Sequence, residues 1–223
     1  MTYTELVAAI ESYTQNYESD FVANIPTFVT QAETRIYNTV QIPALRKNVT
    51  GTITSGNKYL SCPNDFLSVF SMAVIDADNY EYLLNKDVNF IRAAYPSAND
   101  QGVPKYYALF GPTVSSGIVT DELSFILGPT PDDNYDVELH YYYYPESITT
   151  AADGRTWLGD NYDPVLLYGS LVEAYTFMKG EQDMMAYYQK KYDDALAQLN
   201  RLGTGLERGD AYRDGQAKIK VNP

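Results

Sequence analysis

With one cysteine, one histidine and one tryptophan in 223 residues, the chain has little of what most catalytic and metal sites are built from. Cys62 alone excludes an intrachain disulfide and a cysteine-rich zinc site. As a nucleophile it would need His140, the only imidazole; just before Pro63 it reads instead as a small apolar filler. Basic charge is scarce too. Sixteen Lys+Arg against 29 Asp+Glu give −13, which argues against gripping nucleic acid by neutralising phosphates. No apolar run approaches the roughly 18 residues that cross a bilayer, so no membrane partner is expected. Met1-Thr-Tyr-Thr-Glu5 lacks the basic and apolar regions of a signal peptide, and synthesis in the cytosol is expected.

Catalytic patterns are missing as well. Gly111-Pro112 and Gly203-Thr-Gly205 do not make a phosphate cradle. Asp76-Ala-Asp78-Asn-Tyr80 is faintly similar to a calcium loop, without its glycine or terminal bidentate Glu. The carboxylate pairs Asp132-Asp133 and Asp76/Asp78 fall at turns, where Asp is favoured for backbone reasons. Asp193-Asp194 lies beside Lys190 and Lys191 on a helix, as on a solvated face. A triad would have to use His140, which sits among tyrosines in a predicted strand. No activity, cofactor or metal is expected.

What the chain has in excess is tyrosine: 22, against 8 Phe. A rigid apolar body with a polar tip suits surfaces that are wet in a monomer and buried in a complex. A β-rich fold also favours Tyr in its strands. Charge is uneven: residues 1–200 carry 11 Lys+Arg and 26 Asp+Glu, residues 201–223 five and three. An acidic body with a mildly basic tail is a polarity usable for docking, or simply for solubility.

Hydrophobic content of 45% with 20% charge indicates a folded chain with a real core. Residues 1–45 predict two helices, Thr4–Tyr13 with Thr2 or Thr4 as cap, and a second with Pro26 just inside its start and Pro43 ending it. From 46 to 150 the period shortens to two. Asn48–Thr54 and Lys58–Leu60 predict a hairpin about Ser55-Gly-Asn57; Ser68–Ile75 and Tyr80–Leu84 predict another about Asp78-Asn79. Asp87–Tyr95 reads as a short helix, and Tyr106–Phe110, Leu123–Leu127 and Tyr135–Tyr144 as strands. Alternation puts Leu139, Tyr141 and Tyr143 on one face of the last strand and Glu138, His140, Tyr142 and Tyr144 on the other. Residues 151–202 return to helix, capped by Asp163 before Pro164 and broken at Gly180. Residues 203–223 read as an extended tail: a frayed terminus, or an arm with Leu206, Tyr212, Ile219 and Val221 as anchors. The fold class expected is α+β, a helical bundle with an inserted antiparallel β-domain.

Four stretches carry a family resemblance. They are Phe28, Arg35, Ile36 and Pro43; Tyr59-Leu-Ser-Cys-Pro-Asn-Asp-Phe-Leu67; Pro104–Gly111 with Gly128-Pro129 and Tyr135–Pro145; and Trp157-Leu158 through Asp163-Pro164, Tyr168, Glu173-Ala174 and Tyr188–Leu199. In this order the chain resembles, over most of its length, the head-to-tail adaptor proteins of short-tailed bacteriophages. Cys62 departs from what that pattern leads one to expect before the proline.

The resemblance implies a virion protein, made in the bacterial cytoplasm, at the head–tail junction. It implies a ring of twelve copies of this chain beneath the portal, with DNA passing through the channel without sequence-specific binding. The arm, through Leu206, Arg208, Tyr212, Arg213, Lys218, Ile219 and Val221, would dock on the portal protein. A tail nozzle or tube protein would be received below, with Tyr142, Tyr144, Tyr188 and Tyr192 as candidate subunit or tail contacts. A nozzle or tube subunit, and a carbohydrate-binding module using Tyr and Trp157, are the alternatives.

Overall fold

The computed structural model describes residues 1–206 except 78, 98, 116, 117 and 122. Two compact units divide the chain: Met1–Ala44 with Pro145–Pro223, and Leu45–Tyr144.

Helix α1 (Tyr3–Thr14) starts at a capping box in which Thr2 Oγ1 accepts from Glu5 N and the Glu5 carboxylate accepts from Thr2 N. Leu6 and Ile10, one turn apart, are its buried residues. Helix α2 (Ser19–Thr39) begins earlier than expected, so Pro26 is its eighth residue and not in its first turn. The proline sits on the exposed side, where water can serve the Val22 carbonyl that loses its helical donor. The helix stops at Thr39, before Pro43, which opens a 3₁₀ turn at Pro43–Leu45.

The second unit is a sandwich. Its strands are β1 (Arg46–Ile53), β2 (Tyr59–Ser61), β3 (Phe66–Asp76), β4 (Asn79–Tyr82), β5 (Leu84–Asn85), β6 (Tyr106–Leu109), β7 (Thr113–Ser115), β8 (Ile118–Asp121), β9 (Ser124–Gly128) and β10 (Tyr135–Tyr143), with helix α3 (Val88–Ala94) between β5 and β6. One sheet runs β1-β10-β3-β4 and the other β2-β9-β6-β5, while β7 and β8 form a separate ribbon. Pairing is antiparallel in every case except β5 with β6.

The β3–β4 hairpin forms where it is predicted. The β1–β2 hairpin does not. Its turn exists, closed by Asn57 N to Thr54 O at 3.1 Å, but β1 pairs with β10 and β2 with β9. The turn thus carries the chain from one sheet to the other.

The core between the sheets includes Ile53, Phe66, Met72, Val74, Tyr107, Phe125, Leu127, Val137, Leu139 and Tyr141. Burying an aliphatic or Phe side chain of this kind contributes about 1.5–3 kcal/mol. Cys62 packs partly buried against the same cluster. The far side of the second sheet is covered by α3, whose Ile91 meets Ala108 and Ile126. Covered on both faces, β9 is buried at every position.

Helices α4 (Trp157–Asn161), α5 (Asp163–Phe177) and α6 (Gln182–Leu206) complete the first unit. Asp163 is the first residue of α5 and makes no side-chain cap; Tyr162 holds the cap position. The carboxylate acts there through the positive end of the helix. Helix α5 is packed by α1, α2, α4 and α6, and its sequence is apolar nearly all round as a central helix requires. Gly169 lets α2 and α6 come close, since a Cβ there would meet Ala32 Cβ at 3.1 Å and the Tyr192 ring at 3.2 Å.

Helix α6 buries Tyr188, Tyr192, Ala195, Leu199 and Gly203 at spacings of four, three, four and four. It continues four residues beyond the Leu202 end expected, through two glycines. No helix among the described residues is long and apolar enough to cross a membrane.

Candidate interaction surfaces

Among the described residues no group of three or more His, Cys, Asp or Glu is placed to hold a metal ion. His140 lies edge-on to Phe70, with ring centroids 5.0 Å apart, and Glu138 is held by Asn48. The two share a shallow cleft of about 160 Å³ with Ser71, Ala73 and Tyr82.

What the units do carry is aromatic surface. On the first sheet, alternation along β10 sends Val137, Leu139 and Tyr141 into the core and Glu138, His140 and Tyr142 to the other face. Bulges against β3 fall between His140 and Tyr141 and between Tyr142 and Tyr143. On that outer face Phe70 is 49% exposed, Tyr80 53% and Tyr82 66%. Arg46 binds the face together. Its guanidinium lies 3.8 Å from the Phe70 ring centre and donates to Tyr142 Oη at 2.5 Å.

At the sheet's inner margin, Asp65 accepts from Lys47 Nζ at 2.5 Å and from Tyr141 Oη at 2.8 Å. Burial pushes the Asp65 carboxyl up, but the Lys47 ammonium and the Tyr141 hydroxyl outweigh it and hold it below its ordinary value. Burial and Asp65 in turn push the Tyr141 hydroxyl up to about 12.

The helical unit has its own patch, where the α1–α2 and α5–α6 connections meet. Tyr17 is 69% exposed and Tyr187 51%, with Tyr13 and Phe177 about half exposed. Tyr187 and Phe177 are seated on aromatic neighbours. Tyr187 abuts Tyr188 at 5.3 Å, Tyr188 lies 4.9 Å from Tyr175, and Tyr175 Oη donates to Tyr13 O at 3.4 Å. Phe177 rests on Phe28 at 5.2 Å. Aromatic side chains held rigid yet open to water lose little entropy on being covered, as contact surfaces require.

Away from this patch, Glu33 of α2 is buried, and its Oε1 accepts from Ile148 N at 2.9 Å. Burial raises its carboxyl above the ordinary range, against the pull of the Ile148 N–H and the Ser147 hydroxyl. This bond fastens the chain just after its return from the sandwich. Arg35 pairs with Glu173 and lies 5.1 Å from the Tyr192 ring centre, locking α2, α5 and α6 together.

Residues 1–217 match the SU10 adaptor protein family. The chain belongs to that family. It is a structural adaptor of a phage virion, a head–tail connector that works by contact with other head and tail proteins. Among curated proteins nothing matches it.

Of the adaptor's four candidate contact tyrosines, three are buried within their own unit. Tyr142 lies under Arg46, Tyr188 against Tyr175, and Tyr192 under Arg35. Tyr144, at the end of β10, is exposed. Leu206, placed by the sequence in an extended arm, is the last residue of α6 and is exposed. Arg208, Tyr212, Arg213, Lys218, Ile219 and Val221 lie outside the described residues. The adaptor's more exposed tyrosines, Tyr17, Tyr82, Tyr80 and Tyr187, are not distinguished by the sequence, because a Tyr facing water and a Tyr facing the core occupy the same helical or strand period.

Proposed function

We propose that the adaptor assembles as a ring, of twelve copies by family resemblance, between the capsid portal and the tail, with DNA sliding through its channel. The observation that carries this reading is the pair of separate aromatic surfaces, one on each unit. A cyclic head-to-tail assembly needs two different patches per subunit, and further surface for the proteins above and below it. The net charge of −13 suits a channel that must repel DNA rather than bind it.

In this reading the segment after Leu206 docks on the portal through Arg208, Tyr212, Arg213, Lys218, Ile219 and Val221. The tail nozzle or tube protein is received on the opposite side of the ring. A chain ending at Leu206 tests the arm. It keeps the whole of α6 and is expected to melt like the full chain but not to bind portal. Heads completed normally by the shortened chain would contradict the assignment.

A further inference from the structure

Resting on that ring, we infer which surfaces join one copy to the next: the free edge of β1 on one protomer and the free edge of β4 on its neighbour, continuing one antiparallel sheet from copy to copy.

Both edges belong to the same sheet, β1-β10-β3-β4, and among the described residues each has a neighbour on one side only. Leu83 N donates to Met72 O at 2.9 Å, which turns the backbone polar groups of Tyr80 and Tyr82 away from β3. Carried by alternation through the regular pairings Ala73–Glu138 and Val137–Gly51, the same pattern turns those of Asn48, Thr50 and Thr52 away from β10. Among the described residues each edge therefore offers a row of unpaired backbone donors and acceptors.

Natural sheets commonly blunt such edges with proline or an outward lysine. Neither edge has a proline. The lysine of β1, Lys47, is drawn onto its own sheet by Asp65 and the Tyr143 ring, 4.1 Å away.

The sequence segments that carry the two edges are also opposite in charge. From Arg46 to Asn64 there are three basic residues, Arg46, Lys47 and Lys58, and no acidic one. From Phe66 to Asn85 there are three acidic residues, Asp76, Asp78 and Glu81, and no basic one. Asp65, which follows the first segment, is a single acidic residue against those three basic ones. On β10 between the edges, Asp136 and Glu138 are taken up by Thr52 and Asn48. Like edges repel and unlike edges attract, which favours head-to-tail joining over a two-fold dimer.

Strand direction fits as well. Four strands alternating in direction leave β1 and β4 antiparallel. A neighbour in the same orientation about a ring axis then presents β4 antiparallel to β1, so the ladder continues unbroken. With an odd number of strands, the same joining would give a parallel pair at every junction.

The test places Tyr82→Cys together with Asn48→Cys, Thr50→Cys or Thr52→Cys, in a Cys62→Ser background, in virus particles that incorporate the chain. Within one protomer these positions are three strand spacings apart, about 14 Å, too far for a disulfide. The expected result is a ladder of covalent multimers from at least one of the three pairs and none from single substitutions. Thr50→Pro, which removes an outward N–H without touching the β10 pairing, is expected to melt like the natural chain yet be missing from particles.

If all three pairs enter particles without cross-linking, or Thr50→Pro enters normally, the edge assignment is overturned while the ring stands. A bond from the β1 cysteine to a different virion protein overturns it too, marking β1 as that protein's docking edge. Absence of the natural chain from the head–tail junction defeats the ring itself.

Discussion

Gly203 of α6 sits directly against Ile42, so close that a Cβ at this position would overlap Ile42 Cγ2. The glycine that looks in sequence like the end of a helix is instead where the last turns of α6 come down on the α2–β1 connection.

Gly203→Ala is therefore expected to destabilise the helical unit despite alanine's better helix propensity. Overpacking of this kind costs about 1–3 kcal/mol. For a chain of this size each kcal/mol lowers Tm by roughly 2–4 °C, readable by thermal circular dichroism. An unchanged or raised Tm would mean that α6 ends before this contact. Gly205→Ala, with nothing within 4 Å, is the control and should be neutral or slightly stabilising.

Glu33 gives the helical unit a pH dependence of unusual sign. Its carboxyl titrates above its ordinary 4.5 because of burial, so the folded state holds the proton more tightly than the unfolded chain. Its contribution is complete below that value and is lost as pH rises through the raised one. Glu33→Gln, able to keep the bond from Ile148 N, is expected to flatten this part of the curve and raise stability at pH 7. Denaturant midpoints measured from about pH 4, near the ordinary Glu value, up to neutral pH check it.

In the sandwich the sign reverses. Asp65 titrates below 3.8, so its contribution is present above that value and lost as pH falls through the lowered one. Asp65→Asn removes the ion pair but keeps an acceptor for Tyr141. Because Lys47 and Asp65 are both part-exposed, the loss at pH 7 should be below about 1 kcal/mol. A much larger loss would show that the Tyr141 bond, not the ion pair, carries the stability.

The helical aromatic patch separates contact from folding. Tyr17→Asp and Tyr187→Asp remove exposed surface and are expected to leave Tm within about 1 kcal/mol equivalent. Binding to head or tail partners should fall at least tenfold if the patch is a contact. Equal binding by both variants would remove the patch from the list of contacts.

Much of the fold was legible because it is local. The Thr2 cap, the β3–β4 hairpin and the shared face of Leu139 and Tyr141 each follow from residues within a few positions of one another. The misreadings are non-local. Nothing in Asn48–Thr54 says that its partner lies near residue 140 rather than across the Ser55-Gly-Asn57 turn. Pro26 was placed near a helix start because proline is favoured there, but an exposed helix face tolerates it. Three of the four candidate contact tyrosines are buried for a related reason. Tyr188 and Tyr192 fall on the α6 stripe, and burial in their own unit fits that period as well as burial against a neighbour.

The central claim is that this chain joins the portal to the tail, and mass by light scattering, for the protein alone and mixed with the portal from the same genome, tests it most directly. The account predicts a stoichiometric complex with the portal, whether the free protein is a monomer or already a ring. A protein that stays at its 25.1 kDa monomer mass and ignores the portal would contradict it.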